Sequence, residues 1–188
     1  MNSARNIHNT KPVKLTRSAM SKHLKSMSQE QLIELVKECF DASKDMERFL
    51  AVRIMGKEAV LSLFHEYRKK VEHEFFPQRG HGKLRLAEAK KAISDFEKLT
   101  GNARYSLELK LIYVEMGVAF TVAYGDIDQR FYSSIESVYA DVIGTVIADD
   151  SGELLHEYKN RIHAVVSDSQ GIGWGFHDNL SDLYNDLS

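Results

Sequence analysis

The sequence predicts an all-α fold of eight to nine helices packed as antiparallel hairpins, either a helical bundle or a short α-solenoid. Three observations lead there. The 188-residue chain has only two prolines, Pro12 and Pro77, so long stretches run with nothing to interrupt helix propagation. Apolar residues return at intervals of three and four, and the alternation expected of strands is weak throughout. Glycines separate the periodic stretches and leave short turns between neighbouring elements.

The elements follow in order. Ser28 with Gln31 three residues on resembles a capping box, and Leu32, Ile33, Leu35, Val36 and Phe40 then form a stripe at helical spacing. A second helix is expected over 43–54, with Met46, Phe49, Leu50 and Ile54 facing inward. Gly56 separates it from a third over 57–76, which Pro77 ends. After Gly80-His81-Gly82 comes 84–99, closed by Gly101. The stretch 103–124 is apolar on nearly every side beyond Leu111, which marks it as the central helix; Gly117 and Ala119 would let a neighbouring backbone come close. Gly125-Asp126 breaks the chain before 127–148, where Phe131, Ile135, Val138, Val142 and Val146 recur on one face. Asp150-Ser151-Gly152 caps a helix ending near Val166, and a last short helix follows Gly175.

A chain this long buries roughly 70% of its unfolded surface, enough for a core without disulfides or structural metal. The lone Cys39 can form no internal disulfide and reads as an inert core thiol. No stretch is apolar over the roughly 20 residues of a membrane span, since Glu115 interrupts the longest candidate. These features lead us to expect a cytoplasmic protein with no membrane contact. Residues 1–19 lack hydrophobic periodicity and the apolar region of a secretory signal, and read as a disordered basic leader before a single helical domain over 20–188.

The formal net charge of −2 hides three blocks. Residues 1–29 carry six bases and no acid; 68–91 carry eight bases against three acids; 125–188 carry twelve acids against three bases. Such blocks mark either a polyanion partner or solvated faces that attract one another.

The chain also echoes itself at an offset of 91 residues. Leu63-Phe64-His65-Glu66-Tyr67-Arg68 matches Leu154-Leu155-His156-Glu157-Tyr158-Lys159, and Gly80-His81-Gly82 falls on Gly171-Ile172-Gly173. Each copy reads as a helix, a glycine elbow and another helix, so the echo stands for two equivalent sites, for a repeated way of reversing the chain, or for chance.

Candidate ligand-binding residues cluster at these elbows. At the first, Arg79, His81, Lys83 and Arg85 flank glycine-released amides at a helix start, a plausible cradle for phosphate, although Walker spacing is absent. At the second, Trp174, His177 and Asp178 surround a third glycine, with Trp174 and Phe176 expected to pin the last helix to the core. Adjacent helical residues point about 100° apart, so His177 and Asp178 do not make a dyad by themselves. Glu115, within the apolar central helix, is a buried carboxylate with a raised pKa, the partner of an Arg on a neighbouring helix, or a residue at the helix edge. No set of residues has metal-ligand spacing; the one Glu-x-x-His, Glu153 to His156, lacks the second copy that a di-iron bundle needs. No nucleophile motif is present. We therefore assign no catalytic residue, metal or cofactor.

Several blocks together resemble a family of bacterial all-helical proteins of unknown function. They are Met20-Ser21-Lys22-His23-Leu24, Phe75-Phe76-Pro77 with Arg79-Gly80, Lys83-Leu84-Arg85-Leu86 with Glu88-Ala89-Lys90-Lys91-Ala92-Ile93, and Gly171-Ile172-Gly173-Trp174-Gly175-Phe176-His177-Asp178. The resemblance spans about 20–187. It implies one all-helical domain and supplies no activity or partner. The expected function is that of a non-enzymatic binding or scaffold module that receives a protein partner in a helical groove. Polyanion binding through 68–91 is the alternative, and a metal-assisted enzyme the third reading.

Overall fold

A computed structural model of the protein describes residues 14–187. Among them are nine α-helices and no strand, so the fold is all-α. The chain divides into two compact units, one ending at Glu47 and the other starting at Arg48.

In the first unit, α1 (Arg17–Leu24) starts at Thr16, whose side chain accepts a hydrogen bond from the Ala19 amide. The helix therefore begins three residues ahead of the domain start expected at Met20; residues 1–13 of the expected leader lie outside the described residues. In α2 (Gln29–Ala42) the capping box forms as the sequence suggests: the Gln31 amide donates to Ser28 Oγ and the Ser28 amide to Gln31 Oε1. Neither helix buries a single residue. Cys39 is half-buried in α2 rather than part of a core, contrary to the expectation. Periodicity establishes that a helix has an apolar face, but it does not supply the surface that covers it.

α3 (Lys44–Met55) carries a second correction. Of the four residues expected to face inward, Met46, Phe49 and Ile54 are exposed, Ile54 by 80%. Only Leu50 is half-buried.

The second unit holds the core, formed from α4 (Lys57–Phe75), α5 (Leu86–Thr100), α6 (Ala103–Tyr124), α7 (Gln129–Ile147), α8 (Glu153–Asp168) and α9 (Phe176–Asn185). α6 is central, packing on α4, α5, α7 and α8. Half of its 22 residues are buried, as its all-round apolarity requires. The cross-helix registers give the directions. Phe64 stacks on Tyr105 and Phe75 meets Tyr113 edge-on, so α4 runs parallel to α6. Tyr113 bonds Ser134 while Lys110 pairs with Asp141, so α7 is antiparallel to α6. The Tyr139 hydroxyl donates to the Ile162 carbonyl across the next hairpin. Arg104 pairs with Glu157, and Glu115 with Arg161, which makes α8 parallel to α6.

The core is closed by large side chains, including Phe75, Phe96, Tyr113, Tyr139, Phe176 and Leu180. Each contributes about 1.5–3 kcal/mol by leaving water, more than any surface ion pair. Burial pushes the Tyr113 phenol up to about 12 and keeps it neutral. Gly117 admits α7 closely, because a Cβ there would overlap the Ile135 side chain. Ala119 plays no such part and is exposed. Among the described residues no helix is long and apolar enough to cross a membrane.

Candidate functional site

The first elbow occupies 76–85, between α4 and α5. Its chain folds back onto the last turn of α4, where helix carbonyls lack partners. The Leu84 amide donates to the Glu74 carbonyl at 2.9 Å. Gly82 lies so close to this turn that a Cβ would overlap the Phe75 carbonyl oxygen. Leu84 adopts φ +49°, a left-handed conformation unfavourable for a non-glycine residue, and its side chain packs on the core. This is why α5 begins at Leu86 and not at the expected residue 84.

Glu74 fastens the elbow. Its buried carboxylate takes both arms of the Arg85 guanidinium, at 2.6 Å from Nη2 and 3.0 Å from Nε, and also the Arg85 amide at 3.3 Å. The hydrogen bond from Arg85 outweighs burial and holds the Glu74 carboxyl below the usual carboxylate range. Arg85, a candidate anion ligand from sequence, is thus engaged within the fold. Other bases of 68–91 are also paired: Arg68 with Glu72, Lys70 with Glu66, and Lys91 with Asp95. Arg79, His81 and Lys83 are exposed and form no ion pair with a described residue.

The second elbow, 169–175, joins α8 to α9. Ser169 is fully buried; its hydroxyl donates to the Val166 carbonyl and lies 2.9 Å from His177 Nδ1. His177 therefore pairs with Ser169, and no hydrogen bond joins it to Asp178, which is exposed in the first turn of α9. Phe176 is fully buried, with its ring 4.8 Å from that of Tyr132. Trp174 is 62% exposed at φ +63°. The expectation that both aromatics anchor α9 is therefore half right: Phe176, Leu180 and Leu183 carry the inward face, and Trp174 precedes it.

Both elbows border the turn between α6 and α7. Gly173 faces the Asp126 carboxylate, which accepts from the Tyr132 hydroxyl at 3.1 Å. Leu84 and Leu86 line a hollow of about 410 Å³ with Ile127, Asp128 and Phe131. The candidate side chains do not meet, however. Among the described residues no hydrogen bond, ion pair or ring contact joins Arg79, His81 or Lys83 to Trp174, His177 or Asp178.

Glu115 resolves towards the Arg partner. It takes Arg161 Nε and Nη2 at 2.8 Å each, while Nη1 reaches Glu108 at 2.7 Å. Glu108 and Glu115 lie two turns apart on α6 and together grip one guanidinium of α8. The hydrogen bonds that Arg161 donates to Glu115, and then to Glu108, raise its pKa further and keep it charged. The sequence anticipates an Arg partner for Glu115 but does not identify Arg161, nor the second carboxylate at Glu108.

Beyond that clamp α6 and α8 flank a groove of about 510 Å³, with Met116, Ala119, Val122 and Ala123 on one side and Ala164 and Asp168 on the other. Val122 is 64% exposed. Since α6 and α8 are parallel, the groove opens towards the C-terminal ends of both, where helix dipoles and Asp168 concentrate negative potential. Its signal in the sequence was the alanine pair Ala119 and Ala123, one turn apart on an otherwise bulky helix. Among the described residues no group of three or more His, Cys, Asp or Glu is placed to hold a metal ion.

Comparison with known proteins adds no activity. No curated protein and no solved structure matches the chain. The family model of DUF6155, a family of unknown function, matches residues 15–188, nearly the whole length, and the chain belongs to that family.

Proposed function

We propose that the protein is a non-enzymatic binding module whose groove between α6 and α8 receives an amphipathic helix of a partner protein. The observation that carries this reading is the groove itself: an exposed apolar channel between parallel helices, with alanines where a helix backbone could approach closely. Its electronegative end specifies the partner further. An apolar face of small residues would lie on Ala119, Ala123 and Ala164, and a Lys or Arg at one end would meet Asp168 and the helix C-termini. The Glu115–Arg161 pair closes the opposite end.

The test uses two synthetic amphipathic peptides with the same Ala/Leu face, one ending in lysines and one in glutamates, titrated into isotopically labelled protein. The lysine peptide is expected to shift the methyl signals of Ala119, Ala123 and Ala164 and to bind about fivefold more tightly, reflecting the ~1 kcal/mol available to a cation at helix C-termini. Ala119→Trp fills the groove from an exposed position and should abolish the shifts. Absence of shifts with either peptide, or unchanged binding by Ala119→Trp, would overturn the proposal.

A second reading keeps the polyanion contact at the first elbow. It is favoured by Arg79 and Lys83, exposed and without a carboxylate among the described residues.

A further inference from the structure

We infer that α1 and α2 form a self-association surface that pairs with the same surface of a second copy of this chain. The surface lies in the first unit and is independent of the groove. A 14-residue helix is marginal in water and owes its stability to packing of its apolar face. On α2 that face is present but open: Ile33 and Val36 are each 49% exposed and Phe40 45%, while no residue of the helix is buried.

Charge identifies the occupant. Residues 14–27 carry Lys14, Arg17, Lys22 and Lys25 with no acid, and none of the four makes an ion pair with a described residue. Residues 28–42 carry Glu30, Glu34, Glu38 and Asp41 against Lys37, which is already paired with Glu34. Two adjacent segments thus carry net charge of opposite sign, basic over 14–27 and acidic over 28–42. A two-fold axis brings the basic α1 of each copy onto the acidic flank of the other's α2 while the two apolar stripes cover one another. An anionic membrane would attract α1 and be repelled by α2. Residues 1–13 offer only Met1, Ala4, Ile7 and Val13 as apolar side chains, too few to match the stripe.

Sedimentation of the full chain across the micromolar range tests this. The wild type should dimerise; Ile33→Asp with Phe40→Asp should be monomeric with unchanged melting of the core, since neither residue is buried. Charge reversal separates contact between copies from contact within one. Lys22→Glu/Lys25→Glu alone and Glu38→Lys/Asp41→Lys alone should each be monomeric where the wild type is dimeric, and a one-to-one mixture should dimerise, because both opposed pairs are restored only between the two variants. A spin label on Cys39, the only thiol, should report an inter-copy separation on the order of the ~20 Å length of α2. A wild type monomeric throughout, a mixture that stays monomeric, or binding to anionic vesicles without dimerisation would overturn the inference.

Discussion

The two glycine elbows use one backbone plan with opposite chemistry. At the 91-residue offset Gly80 matches Gly171, and both have positive φ. Gly82 matches Gly173, and each abuts a neighbouring group. Leu84 matches Gly175, again both at positive φ and just ahead of a helix. The positions that fasten the turn also correspond, 74 to 165 and 85 to 176. In the first elbow they are Glu74 and Arg85, joined by a forked ion pair; in the second they are Val165 and Phe176, both in the core. The echo therefore encodes a way of reversing a helical chain, and the fastening is free to be ionic or apolar.

The comparison is sharpest at the paired glycines, where we expect the largest effect. Gly82→Ala would force a Cβ into the Phe75 carbonyl, a backbone atom at a helix end that cannot step aside, and should cost about 1–3 kcal/mol in urea unfolding. Gly173→Ala meets only the end of the Asp126 side chain at 3.3 Å, which has to yield by no more than a few tenths of an ångström, so its cost should stay within about 0.5 kcal/mol. Equal costs would mean that the two elbows do not differ in tolerance as their surroundings require.

A smaller effect should appear only in acid. Because Arg85 holds the folded Glu74 carboxyl below its ordinary value, the pair contributes stability above the unfolded carboxylate pKa of about 4.3 and loses it as pH falls through the lower, folded value. Melting of the wild type should therefore fall more steeply than that of Glu74→Gln between about pH 5 and 3. Hydrogen exchange should locate the difference at the first elbow, because Val165 and Phe176 have no proton to gain. Parallel pH profiles for the two proteins would show that the ion pair does not secure the turn.

These differences explain what could be read from the sequence. The bounds of α6 coincide with those expected because its signals are local: Asn102 caps one end, Gly125 ends the other, and the apolar run lies between. The start of α5 was shifted because Leu84 is held by Glu74, ten residues away, and no local propensity reports that. The same limit applies to the site residues. Arg85 looked like a free cation until its distant carboxylate was placed beside it, and the partner of Glu115 lies 46 residues along the chain. Trp174 misled for another reason: an aromatic was read as an anchor by type, although the helical spacing of Phe176, Leu180 and Leu183 already excluded it from the inward face. On α2 the stripe was legible and its exposure was not, since a pattern names a face and not its cover.

The smallest structural effect is expected at the charges that differ between the elbows. Arg79 and Lys83 correspond to Gln170 and Trp174, all exposed, so Arg79→Glu/Lys83→Glu and Gln170→Glu/Trp174→Glu should both leave the melting temperature unchanged. If the first elbow contacts a polyanion, fluorescence anisotropy with a short DNA duplex should show affinity falling steeply with salt. The Arg79→Glu/Lys83→Glu variant should then flatten the log–log slope by roughly 2, about 0.9 for each phosphate contact removed, while the variant of the second elbow keeps the wild-type slope. Identical slopes for both variants, or no binding by the wild type at low salt, would remove the polyanion reading. Arg85 does not belong in this test: its reversal would set a second carboxylate against the buried Glu74, and the loss of the turn would be mistaken for the loss of a ligand.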